Sequence, residues 1–156
     1  IIYSNMDILE RFVAQSDLVI GAVLIPGASA PRLIRKNMLP TMIPGSVFVD
    51  IAIDQGGCAE TSKATTHDDP TFVIDNVVHY CVANMPGAVP LTSALALNHS
   101  VLPYALNIAN KGWKKALAET PGFRPGLNVC CGEITHKNVA ESLNLSFNPE
   151  PKALAA

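Results

Sequence analysis

Gly45-Ser46-Val47-Phe48-Val49-Asp50-Ile51-Ala52-Ile53-Asp54-Gln55-Gly56-Gly57-Cys58 decides how this chain is read. A Pro44-Gly45 turn precedes it, and Ser46 to Ile53 is a short, mostly apolar run rich in Val and Ile. Such a run between turn residues reads as a strand buried on both faces. Asp54 and Gln55 stand where that strand should end, and two glycines follow. Open α/β sheets bind ligands beyond the carboxyl ends of their strands. A carboxylate there, on a turn that lets a ligand approach the backbone, is a candidate site residue. The same pattern also describes a strand-end Asp that caps a turn.

Working outward, Leu18 to Ile25 repeats the pattern, a second buried strand stopped by Pro26-Gly27. Ile1 to Ser4 reads as the end of an earlier strand. Met6, Ile8, Leu9, Phe12 and Val13 line one side of a helix over 6–15. Pro31 to Met42 also has helical spacing, with Pro31 in its first turn and Pro40 near its end. Strand, helix, strand, helix, strand implies a parallel sheet. Residues 58–71 are a polar loop. Phe72–Ile74 and Val77–Val82 are strands joined at Asp75-Asn76. After Pro90 the pattern becomes helical. Thr92–Leu97 forms a first piece, and a longer helix runs to Glu119 from a cap at Asn98 or Ser100, with Pro103 in its first turn. Leu127–Cys130 and Glu133–Ile134 pair around Gly132, Lys137–Leu143 is a short helix, and the tail from Asn148 frays. The expected domains are 1–89 and 90–156. The fold class is α/β.

The chain has 156 residues, 49% hydrophobic and 15% charged, enough for one sizeable core. A net charge of −2 carries no basic footprint for nucleic acid, and no apolar run reaches the ~20 residues of a membrane span. The first residue is Ile1 rather than Met, and no signal peptide is legible, so a piece of a longer protein is expected. Cys58, Cys81, Cys130 and Cys131 lack zinc-ligand spacing and read as small buried thiols of a reducing compartment.

Three strand ends fall on one edge of the inferred sheet: Val23-Leu24, Asp54 to Gly57, and Asn84-Met85-Pro86, with Ser4-Asn5 as a possible fourth. This convergence argues for a cleft against Val, Leu, Ile and Met surfaces, with Asn84 and backbone groups to hold a planar ring. No Gly-x-Gly-x-x-Gly is present, so a pyrophosphate-binding loop is not among these residues. His67 with Asp68 and Asp69 resembles a metal or acid–base cluster, but Thr65-Thr66 and Pro70 make it a solvated turn. His79 reads as a core residue, and His99 and His136 as residues near helix starts.

Several blocks resemble alanine dehydrogenase: Asp17 to Gly27, Val49 to Cys58, Thr65 to Phe72, His79 to Gly87, Leu102 to Leu106 and Asn110 to Trp113. The likeness runs to about Leu143. Transhydrogenase subunits and lysine-ketoglutarate dehydrogenases share the architecture, but the Ile-Asp-Gln-Gly-Gly-Cys and Asn-Met-Pro-Gly blocks look closer to alanine dehydrogenase. The resemblance implies the second half of a Rossmann-type NAD-binding domain, followed by C-terminal helices that pack on a catalytic domain. It implies reversible oxidative deamination of L-alanine to pyruvate and ammonia, with NAD as cofactor. Asp54 is then the catalytic residue, managing protons beside substrate and nicotinamide. Cofactor contacts fall on Ser4, Val23, Leu24, Ile51, Ala52, Ile53, Asp54, Lys63, Val82, Ala83, Asn84 and Met85. Many members carry Arg where Lys63 stands. The family's catalytic lysine and histidine and its substrate-holding arginine belong to a preceding half that these residues do not include. Residues 1–156 alone are therefore expected to bind NAD poorly and to catalyse nothing measurable. The expected partners are that missing half and further copies in a homohexamer, and the expected location is the cytoplasm. The alternatives are a transhydrogenase NAD-binding subunit, a non-catalytic truncated assembly partner, or a binding module for another ligand.

Overall fold

The central apolar run does form a strand, shorter than its composition suggests. In a computed structural model of the chain, which describes residues 1–149, β2 covers only Val47–Asp50. It lies between β1 (Leu18–Gly21) and β4 (Val77–Tyr80), parallel to both, and β3 (Thr71–Ile74) closes the far edge antiparallel to β4. Asp75 and Asn76 join β3 to β4 with φ of 50° and 62°. That is the doubly left-handed turn whose twist suits a two-residue hairpin.

Two compact units are distinguished: residues 1–25 with 29–88, and residues 26–28 with 89 onward. The first holds the four-stranded sheet. Its core gathers Val13 of α1 (Met6–Ala14), Ile34, Met38, Leu39 and Met42, Phe48 of β2 and Val77 of β4. The Asn5 side chain caps α1 by accepting from the Ile8 N–H at 2.8 Å.

Several expectations are corrected. Ile1 to Ser4 is not a strand, because no neighbouring strand among the described residues pairs with it. β1 stops at Gly21 and is not buried; Leu18 and Ile20 are 54% and 57% exposed, as befits the sheet's outer strand. Residues 31–42 are not an α-helix. The Ile34 N–H donates to the Cys58 carbonyl (3.1 Å) and its carbonyl accepts from Glu60 N–H (2.9 Å), so its backbone groups serve a loop 24 or more residues on. Only Lys36–Thr41 coils, as a 3-10 helix that tolerates Pro40.

The second unit contains α2 (Pro90–Lys111), α3 (Trp113–Glu119), a hairpin of β5 (Val129–Cys130) and β6 (Glu133–Ile134), and α4 (Lys137–Leu143). α2 is one helix, not two. Pro90 sits in its first turn, where a missing N–H costs nothing, and Pro103 interrupts a single bond without ending it. His99 consequently lies inside α2. The helix stops at Gly112, with φ of 75°. None of its residues is buried, so Leu91, Leu95, Leu102 and Leu106 form apolar surface that no described residue covers. No described helix is long and apolar enough to cross a membrane. Of the tail expected to fray, 150–156 lies outside the described residues.

Candidate functional site

The carboxyl ends of β1, β2 and β4 lie on one edge because the three strands are parallel. β2 ends earlier than its composition suggests, and Ile51–Gln55 turns into a 3-10 helix. That turn alternates its faces: Ala52 and Ile53 are buried, while Ile51 and Asp54 are exposed. Asp54 therefore presents its carboxylate to solvent at the edge rather than continuing the strand. Val23 packs against the core after β1, and Leu24 is 65% exposed. After β4, Val82 is buried and Ala83 and Asn84 are exposed. Asn84 takes φ of 59°, and its carbonyl accepts from His67 Nε2 at 3.0 Å. The loop before β3 is thereby tied to this strand end, and Thr65 N–H to Cys81 O (2.9 Å) and Ala83 N–H to Thr65 O (3.1 Å) tie it again. Lys63 is exposed on that loop. Ser4 is exposed ahead of α1.

The residue that organises the edge is Asp50, read from the sequence as one more position of a buried strand. It is fully buried. Its Oδ2 accepts from the Cys58 N–H (2.9 Å) and from the Ser62 hydroxyl, and its Oδ1 accepts from the Cys58 thiol (3.4 Å). Ser62 Oγ in turn accepts from the Ala59 N–H at 3.1 Å. The buried carboxylate is thus satisfied by donors from a single returning loop. That return needs glycine twice. At Gly57 (φ 79°) a Cβ would run into Ser62 and Asp50, and at Gly21 it would run into the Cys58 sulfur. An acidic residue inside an apolar run, six residues before a Gly-Gly-Cys, was the available sign that something downstream must satisfy it. Burial first, and the Asp50 carboxylate second, push the Cys58 thiol up to about 12, so this cysteine is a hydrogen-bond donor and not a nucleophile. Burial also raises the Cys81 thiol.

His79 is a core residue, as its mid-strand position suggests. Its Nδ1 donates to the Val77 carbonyl (3.0 Å), its Nε2 accepts from Thr61 Oγ1 (2.9 Å), and its ring stacks on Phe72 at 4.9 Å. His67, Asp68 and Asp69 form an exposed turn in which Thr66 Oγ1 accepts from the Asp69 N–H. Among the described residues no group of three or more His, Cys, Asp or Glu could hold a metal ion. The cysteines are not uniformly buried: Cys58, Cys81 and Cys130 are, and Cys131 is exposed.

Parallel strands ending at one edge, with a carboxylate-pinned turn that exposes a second carboxylate, define the ligand-facing portion of a Rossmann-like α/β domain. Residues 1–137 match the family model described as alanine dehydrogenase/PNT, C-terminal domain, and the chain belongs to that family. It is 58% identical over 146 residues to an alanine dehydrogenase of Halomonas elongata, covering 94% of this chain and 39% of that protein. It is 56% identical over 154 residues to alanine dehydrogenase 2 of Staphylococcus aureus, covering 98% and 41%. A solved L-alanine dehydrogenase superposes with a TM-score of 0.72 at 48% identity, over 91% of this chain and 39% of that one. A transhydrogenase from Sinorhizobium meliloti is more distant, with a TM-score of 0.53 at 33% identity over 58% of this chain. The chain thus spans about two fifths of the length of the curated relatives it matches.

Proposed function

We propose that these residues are the nicotinamide-side part of an NAD-dependent alanine dehydrogenase, which interconverts L-alanine with pyruvate and ammonia. Residues 1–89 form the second half of the NAD-binding domain, and the segment from 90 onward, mostly helical among the described residues, packs on a catalytic domain. The observation that carries the reading is Asp54, an exposed carboxylate on a turn that Asp50 pins at the meeting edge of three parallel strands.

Two features fit a nicotinamide nucleotide there. Val23, Leu24 and Ile51 offer apolar surface at the strand ends. On the Asp54 turn, Gln55 Oε1 is a buried acceptor with no hydrogen-bond partner among the described residues, suited to an amide donor such as a carboxamide. NAD, when bound, supplies the hydride acceptor. The chain's own residues do the rest. The exposed Ile51, Ala83 and Asn84, with Met85 and the backbone of the buried Ala52, Ile53 and Val82, would line the ring, and Ser4 and Lys63 would contact the remainder of the cofactor. Asp54 holds or moves a proton at the amino group or at the water that replaces it.

The apolar faces of α2 and the outer strand β1 are covered by the rest of the enzyme and by further copies in a homo-oligomer. The four thiols fit a cytoplasmic location.

NADH titration of the protein expressed with its full coding sequence tests the cofactor assignment. Saturable binding is expected, weakened several-fold by Lys63→Ala through loss of one exposed charge contact. Equal binding of unrelated nucleotides would overturn it.

A further inference from the structure

The cysteine pair at the tip of the β5–β6 hairpin has no part in the function above. Successive side chains of a strand point to opposite faces, which holds adjacent sulfurs apart. Here Cys130 is the last residue of β5, and Cys131 and Gly132 follow with φ of 53° and 80°. Cys130 pairs with Glu133 across the hairpin, so Cys131-Gly132 is a two-residue turn, left-handed at both positions. Asn-Gly or Asp-Gly usually fills such a turn, and a cysteine gains no comparable backbone ease from it. What this turn achieves is to fold the second thiol back onto the first. The sulfurs stand 3.7 Å apart, one on a buried residue and one on an exposed residue. Both residues line an apolar cavity of about 450 Å³ with Ile108, Trp113, Leu117 and Phe123.

That separation is the bite of a chelate. An atom bonded to both sulfurs at about 2.3 Å, the zinc–thiolate length, would make an S–metal–S angle of roughly 107°, close to tetrahedral. A linear two-coordinate ion at the same bond length would need the sulfurs roughly 4.6 Å apart. We propose that Cys130 and Cys131 form a two-thiolate site for a soft, four-coordinate divalent cation of the zinc and cadmium class. Thiolates select such ions over magnesium or calcium. No third His, Cys, Asp or Glu joins the pair among the described residues, so water or small ligands complete the coordination and the ion is exchangeable.

The test is cadmium titration of the reduced protein, followed by thiolate-to-cadmium absorption, in wild type and in Cys131→Ser. Position 131 is exposed, so the variant keeps its fold, which circular dichroism verifies. One cadmium per chain is expected, with the two-thiolate absorption lost in Cys131→Ser. A trivalent phenylarsenical, which takes two sulfurs on one atom, should displace the cadmium one for one. No stoichiometric cadmium binding, unchanged binding in Cys131→Ser, or binding of the arsenical alone would each overturn the proposal.

Discussion

Asp50→Ala is the substitution that asks most of this structure. The carboxylate is fully buried and receives a backbone N–H, a hydroxyl and a thiol from the loop between Cys58 and Ser62. Truncation leaves the Cys58 N–H and the Ser62 hydroxyl without their acceptor, at about 1–3 kcal/mol for each buried group left unpaired. The removed carboxyl also leaves space between β2 and the loop. The expected loss is therefore about 3–5 kcal/mol, large against the 5–15 kcal/mol of a whole domain. Asp50→Asn keeps one carbonyl oxygen and should lose about half as much. Ser62→Ala alone should cost about 1–2 kcal/mol, because Asp50 still accepts from the Cys58 N–H. The double variant should cost less than the sum of the two, since both remove the same bond. Urea unfolding followed by circular dichroism measures all four. Asp50→Ala within 0.5 kcal/mol of wild type, or strict additivity with Ser62→Ala, would refute the claim that this carboxylate pins the loop.

Gly21→Ala should destabilise by about 1–3 kcal/mol, because its Cβ would meet the Cys58 sulfur, and Cys58→Ala should relieve part of that cost by making room. Urea melts of the two single variants and the double variant decide this. The Cys58 thiol titrates near 9.0 when unfolded and at about 12 when folded. The folded state therefore keeps a proton that the unfolded state loses. Stability should hold steady below pH 9 and fall as pH rises from about 9 toward 12, and Cys58→Ala should flatten that decline. Urea midpoints across this range read the slope directly. In the native protein, Cys131 should react with a thiol reagent well before Cys58 or Cys81, as mass spectrometry of the labelled peptides would show.

The parts of the fold that were legible in the sequence are those whose signals are local. Asp75-Asn76 announces its turn by residue type alone, and the spacing of Met6, Leu9 and Val13 marks α1 within one turn of its observed ends. The parts that were not legible depend on distant partners. Residues 31–42 have helical spacing, yet Ile34 bonds to Cys58 and Glu60, a pairing that no window of neighbouring residues reveals. Ile1 to Ser4 has strand composition, but a strand needs a neighbour to pair with. Pro103 suggested a helix start because a proline's missing N–H is easiest to place there, but a 22-residue helix carries one missing bond in its interior. At the site, the Gly-Gly turn pointed to Asp54, while Asp50 stayed hidden because its donors lie eight and twelve residues away.

The most direct test of the central claim is L-alanine-dependent reduction of NAD by the protein expressed with its full coding sequence, alongside Asp54→Asn. Asp54 is exposed on a turn held by other residues, so its substitution leaves the fold intact. NADH formation is expected to require L-alanine and to fall by about 10²–10⁴-fold in Asp54→Asn. Wild-type turnover without any requirement for L-alanine, or an Asp54→Asn variant as active as wild type, would contradict it.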